Sequence, residues 1–304
     1  MSCQFPVLGS QRTEKLFSGI MEIVNTLPVL DEKAERLRRI LVRSGRLIVA
    51  YSGGVDSAFL AWTAHQALGN EMRAVIADSA SLARTHLKEA LAFAREREIP
   101  VEVVETRELA NPAYVRNDAM RCFHCKDELF TVLESFREAC EFDAVAYGVN
   151  ADDEGDFRPG RQAARQHRVL APLLEAGLKK AEIRELARVA DLRVWDKPAS
   201  ACLSSRMEYG RAVTPQALSA IERGEDALRA MGFRQFRVRH HGEIVRIEIA
   251  REELPRALTG EMAAEFTVVF KALGFKFVTL DLEGFRSGSM NQLLTAEELL
   301  RGRS

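Results

Sequence analysis

Leu47-Ile48-Val49-Ala50-Tyr51-Ser52-Gly53-Gly54-Val55-Asp56-Ser57 is the stretch on which the reading of this chain turns. The aliphatic run over 46–51 is too short for a helix and is bounded by Gly45 on one side and Ser-Gly-Gly on the other, which predicts a buried strand. A helical pattern follows from Asp56 to Leu68. Two glycines between strand and helix let the backbone turn tightly and bring bare N–H groups close to an anion. The helix beyond adds its unsatisfied first-turn donors and the positive end of its dipole. A polyphosphate fits that cradle. Ser52 and Ser57 bring hydroxyl donors, and Asp56 brings a carboxylate able to hold magnesium against phosphate oxygens. The loop has neither the lysine of a Walker A sequence nor the three spaced glycines of a dinucleotide fingerprint.

Outward from this unit the same alternation repeats. A helix over 31–44 precedes it. Strands are predicted over 74–77, 101–105 and 144–149, and helices over 85–98 and 126–140. Such order predicts an α/β fold, a mostly parallel sheet with helices on both faces and a ligand crevice at the carboxyl ends of the strands. Asp78-Ser79 and Gly148-Val149-Asn150 fall at that edge, where they are either ligand contacts or ordinary strand-end turns. Residues 151–168 read as an exposed polar loop and 178–190 as a helix. Thr214-Pro215 is an N-cap followed by proline at the first helical position, opening a helix to Met231. Strands over 233–241 and 243–250 around Gly242, a largely helical 251–273 and a last strand over 276–282 then predict a small αββαβ sandwich. The expected organisation is a tail over 1–29, the α/β domain over 30–206, a small α+β domain for substrate binding or oligomerisation over 207–286, and a tail over 287–304.

The 304-residue length accommodates two domains, and 47% hydrophobic with 29% charged residues is a globular balance. A net charge of −1 leaves no broad basic footprint, so nucleic acid is not an expected partner. Gln11, Arg12, Glu14 and Lys15 interrupt the first segment, unlike a secretion signal. Nothing approaches the ~20 consecutive apolar residues of a membrane span. Five cysteines without regular spacing predict reduced thiols and a cytoplasmic setting rather than a disulfide framework.

Cys122 and Cys125 form a Cys-x-x-Cys around His124, at the start of the helix expected over 126–140. That position would lower a thiol pKa and favour the thiolate that binds metal. Two ligands are too few for a strong chelate, and Cys202 is the third candidate. It lies in a loop of small residues between Lys197 and Arg206, whose charges would depress its pKa. An iron-sulfur cluster, zinc and a plain reduced pair are the readings open to these thiols. Cys3 and Cys140 read as a tail residue and a small buried hydrophobe. In the second domain Arg237 and Arg239 are two apart on a strand, so both leave one face roughly 7 Å apart. They could grip one phosphate with Arg206 completing the pocket, or form a solvated outer face. Glu225 is a weaker candidate there, and His240 and His241 read as turn residues.

Ser52-Gly53-Gly54-Val55-Asp56-Ser57 resembles the SGGxDS motif of the PP-loop ATP pyrophosphatase superfamily at all fixed positions and in its strand-loop-helix context. The resemblance implies ATP, split to AMP and pyrophosphate, with Mg2+ at Asp56 and the adenosine near Asp78, Ser79 and Gly148. Trp195, Lys197, Pro198, Cys202, Leu203, Ser205 and Arg206 resemble the W-x-K-P-x-x-x-C-L-x-S-R stretch of the LarE family of ATP-dependent sacrificial sulfur transferases. That likeness covers about residues 30–283. It implies sulfur insertion into carboxylates of a pyridinium mononucleotide for the nickel-pincer nucleotide cofactor, a small-molecule nucleotide substrate and a homo-oligomer. It also implies that Ser205, Arg206, Glu225, Arg237 and Arg239 surround the substrate phosphate, and that Cys202 is the catalytic thiol. The three cysteines depart from the single-cysteine sacrificial type. They are similar to members holding a four-iron four-sulfur cluster on three cysteines, which implies Cys122, Cys125 and Cys202 as ligands; sacrificial donation from Cys202 is the alternative. Outside this family stand an amide ligase or tRNA thiolase using the same adenylylation, and a metal-binding module that only senses nucleotide.

Overall fold

A computed structural model describes residues 29–153, 159–198 and 201–286. The sequence expectations for 1–28 and 287–304 lie outside the described residues.

After helix α1 (29–43), strand β1 (Leu47–Ala50) is buried along its whole length. Leu47 and Val49 face one apolar cluster, while Ile48 and Ala50 face another. A run with no polar position is what a central parallel strand covered on both sides requires. Helix α2 (Val55–Leu68) follows, then β2 (Met72–Asp78), α3 (Arg84–Glu96), β3 (Val101–Glu105), the short α4 (Pro112–Val115), α5 (Arg121–Ala139) and β4 (Ala144–Tyr147). The sheet order is β3-β2-β1-β4, and every pair is parallel. Leu37 and Leu41 of α1, Phe59 and Leu60 of α2, and Phe93 of α3 fill the cluster on the first face. Phe130 and Leu133 of α5 fill the second. The chain leaves β1 toward β2 and β3 on one side and reaches β4 on the other. The topological switch point, where open α/β sheets bind ligands, is therefore the crevice between the carboxyl ends of β1 and β4.

Two expectations change here. Residues 159–166 are not part of an exposed loop: α6 (Pro159–Gln166) packs its buried Ala163 and Ala164 against the α5 side of the sheet. Helix α5 begins five residues earlier than periodicity suggested, so Cys122 and Cys125 lie within its opening turns.

Short α7 (Pro172–Glu175) and α8 (Lys180–Val189) complete the first unit. Helix α9 (Pro215–Ala230) opens as expected, with the Thr214 side chain accepting from Ala217 N at 3.2 Å. Strands β5 (Phe236–His241) and β6 (Ile244–Ile249) form an antiparallel hairpin. After α10 (Leu254–Ala257) and α11 (Gly260–Ala272), β7 (Phe277–Leu280) pairs parallel with β6. Val238, Val245 and Ile247 face Leu218, Ile221 and Leu228 of α9 and Phe270 of α11, a second core with its own sheet. Tyr114 and Leu203 from the first unit enter that second core. No helix of the described residues is long and apolar enough to cross a membrane.

Candidate nucleotide and thiol site

The Ser52–Ser57 loop leaves β1 at the switch point. Gly53 has φ +71°, and a side-chain carbon there would sit 2.5 Å from Ala90 Cβ of α3, so both the conformation and the space call for glycine. Gly54 caps α2 in an extended conformation and has no side chain with which to bond the helix start. The first-turn N–H groups of α2 are left for a ligand. Ser57 Oγ accepts from Ser52 N at 3.1 Å and lies 3.0 Å from Ser52 Oγ, so these hydroxyls brace the loop. Gly148, just past β4, is a matter of space: a Cβ there would approach Ser57 N to 2.8 Å and the Asp56 carbonyl carbon to 3.0 Å.

Asp56 projects from the first turn of α2, and its Oδ2 accepts from Lys180 Nζ at the start of α8. Its Oδ1 is buried without a hydrogen-bond partner among the described residues. An orphaned carboxylate oxygen beside a helix N-terminus fits a magnesium ion, a hard cation that takes oxygen ligands. At the end of β2, Asp78 pairs with Arg84, whose guanidinium also donates to Ser79 O at 2.9 Å. Ser79 Oγ lies 3.1 Å from Ser81 Oγ. Asp78, Ser79 and Gly148 thus flank the loop along the same sheet edge.

The Cys202 segment is tied to both units. Lys197 Nζ donates to Gly53 O at 3.1 Å and pairs with Glu89 at 2.9 Å. Cys202 precedes the 3-10 turn Leu203–Arg206, and Leu203 N donates to Ser81 O at 2.8 Å. Arg206 is 1% exposed. Its guanidinium grips buried Glu225 through both oxygens at 2.9 and 3.2 Å and also donates to Cys202 O at 2.9 Å and Ser205 Oγ at 3.1 Å. Arg206 therefore fastens the Cys202 turn onto α9. Arg239, also buried, donates to Glu248 at 2.8 Å and to Ser205 O at 3.1 Å. Arg237 lies over the Phe285 ring at 4.9 Å. Burial first, then the neighbouring charges of Arg206 and Arg239, bring its pKa down to about 10 against the pull of Glu225 and Glu248. The three arginines thus lie within electrostatic reach of one another and of Glu225 and Glu248.

The thiols share another. Cys122 is exposed, Cys125 and Cys202 are partly buried. The Arg121 guanidinium lies 3.9 Å from Cys122 Sγ and feels the charge of both Cys122 and Cys202. Cys125 feels both other thiols, but its dominant influence is burial, which pushes its thiol up to about 12. Burial thus moves the Cys125 thiol in the direction opposite to the one its place at a helix start suggests. Three thiols are the right donor type for an iron-sulfur cluster with an open position. Among the described residues no group of three His, Cys, Asp or Glu side chains stands close enough together to hold a metal ion.

Three participants escaped the sequence reading. Lys180 lies 124 residues from its partner Asp56, and its one local signal is a lysine pair at a helix start, against the dipole. His86, in the first turns of α3, is held below the usual imidazole range by burial and then Lys197, within reach of the Arg206 and Glu225 charges. Tyr114 is buried, with its hydroxyl against Ser204 Oγ inside the Cys202 turn. Nothing in its local sequence marks it.

No family model matches the chain. It is 40% identical over 267 residues, 88% of this chain and the full length of the relative, to an uncharacterized protein of Synechocystis sp.. It is 34% identical over 258 residues, 84% of this chain and 92% of the relative, to the pyridinium-3,5-bisthiocarboxylic acid mononucleotide synthase of Lactiplantibacillus plantarum. A shorter likeness, 31% over 144 residues, reaches the glutamine-hydrolyzing GMP synthase of Nostoc punctiforme and covers 43% of this chain and 26% of that protein.

Proposed function

The chain belongs to the family of the pyridinium-3,5-bisthiocarboxylic acid mononucleotide synthase, and from that membership we propose that it uses ATP to convert a carboxylate of a pyridinium mononucleotide into a thiocarboxylate. The observation that carries the reading is the Gly53-Gly54 turn at the sheet's switch point, with the α2 start uncapped beside it and Lys197 linking it to the Cys202 segment. A carboxylate resists attack by sulfur because its leaving group would be oxide; an adenylate supplies a better one. The substrate carboxylate attacks the α-phosphorus of ATP, the bond to the bridging oxygen breaks, and pyrophosphate leaves. The loop N–H groups orient the triphosphate and neutralise its charge. Ser52, Gly53, Gly54, Asp56 and Ser57 hold the phosphates, with Asp78, Ser79 and Gly148 along the nucleoside. Magnesium, when bound at Asp56, supplies charge neutralisation on phosphate oxygens.

The substrate's own phosphate sits against Arg237 and Arg239. Arg206, Ser205 and Glu225 support it by fixing the turn and the charge around it. A sulfur nucleophile then attacks the acyl carbon and AMP departs. Cys122, Cys125 and Cys202 are the thiols that would hold a four-iron four-sulfur cluster, which would supply sulfide at its open iron, although among the described residues they do not stand close enough together to form that site without it. In the other route the Cys202 thiolate forms a thioester. Loss of its Cα proton then breaks the Cβ–S bond, leaving dehydroalanine in the chain and sulfur on the product.

The test is pyrophosphate release from MgATP, dependent on the carboxylate-bearing nucleotide. Release without that substrate, or none with it, removes the reading. Iron and acid-labile sulfide after anaerobic purification, with the mass of the Cys202 peptide after several turnovers, separates the routes. An unchanged Cys202 excludes sacrifice.

A further inference from the structure

Helix α3 walls one side of the glycine loop. The Tyr51 hydroxyl donates to Ala90 O at 2.9 Å, Gly53 turns against Ala90, and Glu89 holds the Lys197 ammonium. Its first residue also reaches the nucleoside edge, since the Arg84 guanidinium pairs with Asp78 and donates to Ser79 O at 2.9 Å and Leu82 O at 2.8 Å. Nothing in its own sequence starts this helix well. Ala83 stands at the N-cap with no side chain able to accept a hydrogen bond, and the first turn holds no acidic residue, only the basic Arg84 and His86. One of the opening N–H groups finds its acceptor far away: Arg84 N donates to Glu222 Oε1, a half-buried carboxylate on α9, 138 residues on. Glu225, three positions further along the same helix face, grips Arg206 and so holds the Cys202 turn. It also accepts from Val238 N at 3.3 Å, on the strand that carries Arg237 and Arg239.

We propose that Glu222 is a positioning residue for the nucleotide: it caps α3 from the second unit and, through Arg84, sets Asp78 and Ser79 for the nucleoside. The inference rests on the reading of the sheet edge as an ATP site and adds that this site is incomplete until α9 is seated against it. One face of α9 thus joins the nucleotide edge, the Cys202 turn and the arginine strand. Seating the arginines and finishing the nucleotide edge are then one event, which ties the capture of ATP to the presence of the surface that takes the second substrate.

The test separates a cap from a contact that merely holds two units together. In the full chain, Glu222→Ala binds MgATP about fivefold more weakly by calorimetry, the loss of one cap. Amide hydrogens in the first turn of α3 exchange faster in the same variant without nucleotide, read by mass spectrometry. Glu222→Gln keeps the acceptor oxygen and stays within about twofold of wild type, having lost only its charge at the helix start. Ala83→Ser gives α3 a cap of its own, so adding it to Glu222→Ala restores both the exchange protection and the MgATP affinity. Wild-type MgATP affinity in Glu222→Ala, an equal loss in Glu222→Gln, or a loss that persists once serine has restored protection overturns the assignment and leaves the ATP reading standing. A wild type that binds no MgATP brings down both.

Discussion

Lys197 Nζ donates to the carbonyl oxygen of Gly53 across 3.1 Å, so the segment that leads into Cys202 is bonded to the turn that would cradle phosphate. The ammonium also pairs with Glu89 at 2.9 Å. One side chain thus sets the spacing between two loops that come from distant parts of the chain, and it does so at the backbone of a glycine whose conformation no other residue adopts easily. Lys197→Met removes the tie while leaving the glycine turn and Cys202 themselves unchanged. We expect MgATP to bind within about threefold of wild type, while substrate-dependent pyrophosphate release falls about a hundredfold, because a displacement near 1 Å at the reacting atoms has that effect. Stopped-flow release against a binding isotherm checks it; equal losses in both would assign Lys197 to nucleotide binding alone.

Arg206 and Glu225 are 1% and 5% exposed and bonded through two contacts. Removing one partner of such a pair strands a buried charge, at a cost of roughly 3–5 kcal/mol. Glu225→Gln should therefore destabilise the fold strongly in urea, and Arg206→Met should do the same while loosening the Cys202 turn. The double variant should recover much of the loss, since it buries no unpaired charge. Additive losses in the cycle would mean the two side chains stabilise the protein independently.

A methyl group at position 148 has nowhere to go: it would come within 2.8 Å of Ser57 N and 3.0 Å of Ser57 Cα, both backbone atoms. Gly148→Ala should push the start of α2 aside, costing about 1–3 kcal/mol of stability by overpacking. MgATP affinity should fall about tenfold as the first-turn donors lose their aim. Gly260→Ala is the control, because a Cβ there meets nothing within 4 Å. Urea unfolding and calorimetry on the two variants decide it.

How far the sequence could be read depended on how local the cause was. The β1-loop-α2 unit is written in consecutive residues, and both its strand and its turn appear where periodicity and the glycines put them. The helix Pro159–Gln166 was hidden because Pro159 and Gly160 look like breakers, although proline suits the first helical position. Gly160 lies against α5, where a Cβ would meet Lys126 Cγ at 2.9 Å, and the buried alanines beside it give only a weak apolar signal. Position on a helix suggested an acidic Cys125, but enclosure by the second core, visible only in three dimensions, reverses the sign. Lys180 and Asp56 share no local pattern at all, so only the fold pairs them.

His167 stands between Asp127 at 2.9 Å and Glu134 at 3.1 Å, fastening the segment after α6 to α5. Burial works against its charge, but the two carboxylates outweigh it and raise the imidazole above its ordinary range. A raised histidine pKa stabilises the fold fully below the unfolded value, near 6.5, and the contribution is lost as pH rises through the folded value. His167→Gln should therefore be less stable than wild type at pH 6, with the gap narrowing by pH 8.5. Urea midpoints at the two pH values measure it; a gap that widens with pH would contradict the assignment.

Cys125 gives the sharpest pH signature in the thiol neighbourhood. Its ordinary value of 9.0 is pushed up to about 12, chiefly by burial and then by the nearby Cys202. Burial therefore leaves much less thiolate at pH 8 than an ordinary cysteine carries, and only the thiolate is alkylated. Timed iodoacetamide labelling with peptide mass spectrometry should find Cys125 nearly inert at pH 8, its rate rising about tenfold for each pH unit toward 11 while the fold persists. The same shift governs stability: the neutral thiol favours the folded state below about 9, and the advantage is lost as pH climbs toward 12. Replacing it by serine removes the titration, so the stability difference between wild type and Cys125→Ser should shrink above pH 9. Metal ligation demands the opposite charge state. If Cys125 is a cluster ligand, loading with iron and sulfide at pH 7.5 must release its proton, and the protein should then acidify a weakly buffered solution by one proton more than the Cys125→Ser variant does. Rapid labelling of Cys125 at pH 8 in the metal-free protein would show that the thiol is not enclosed and would remove the basis for all three expectations.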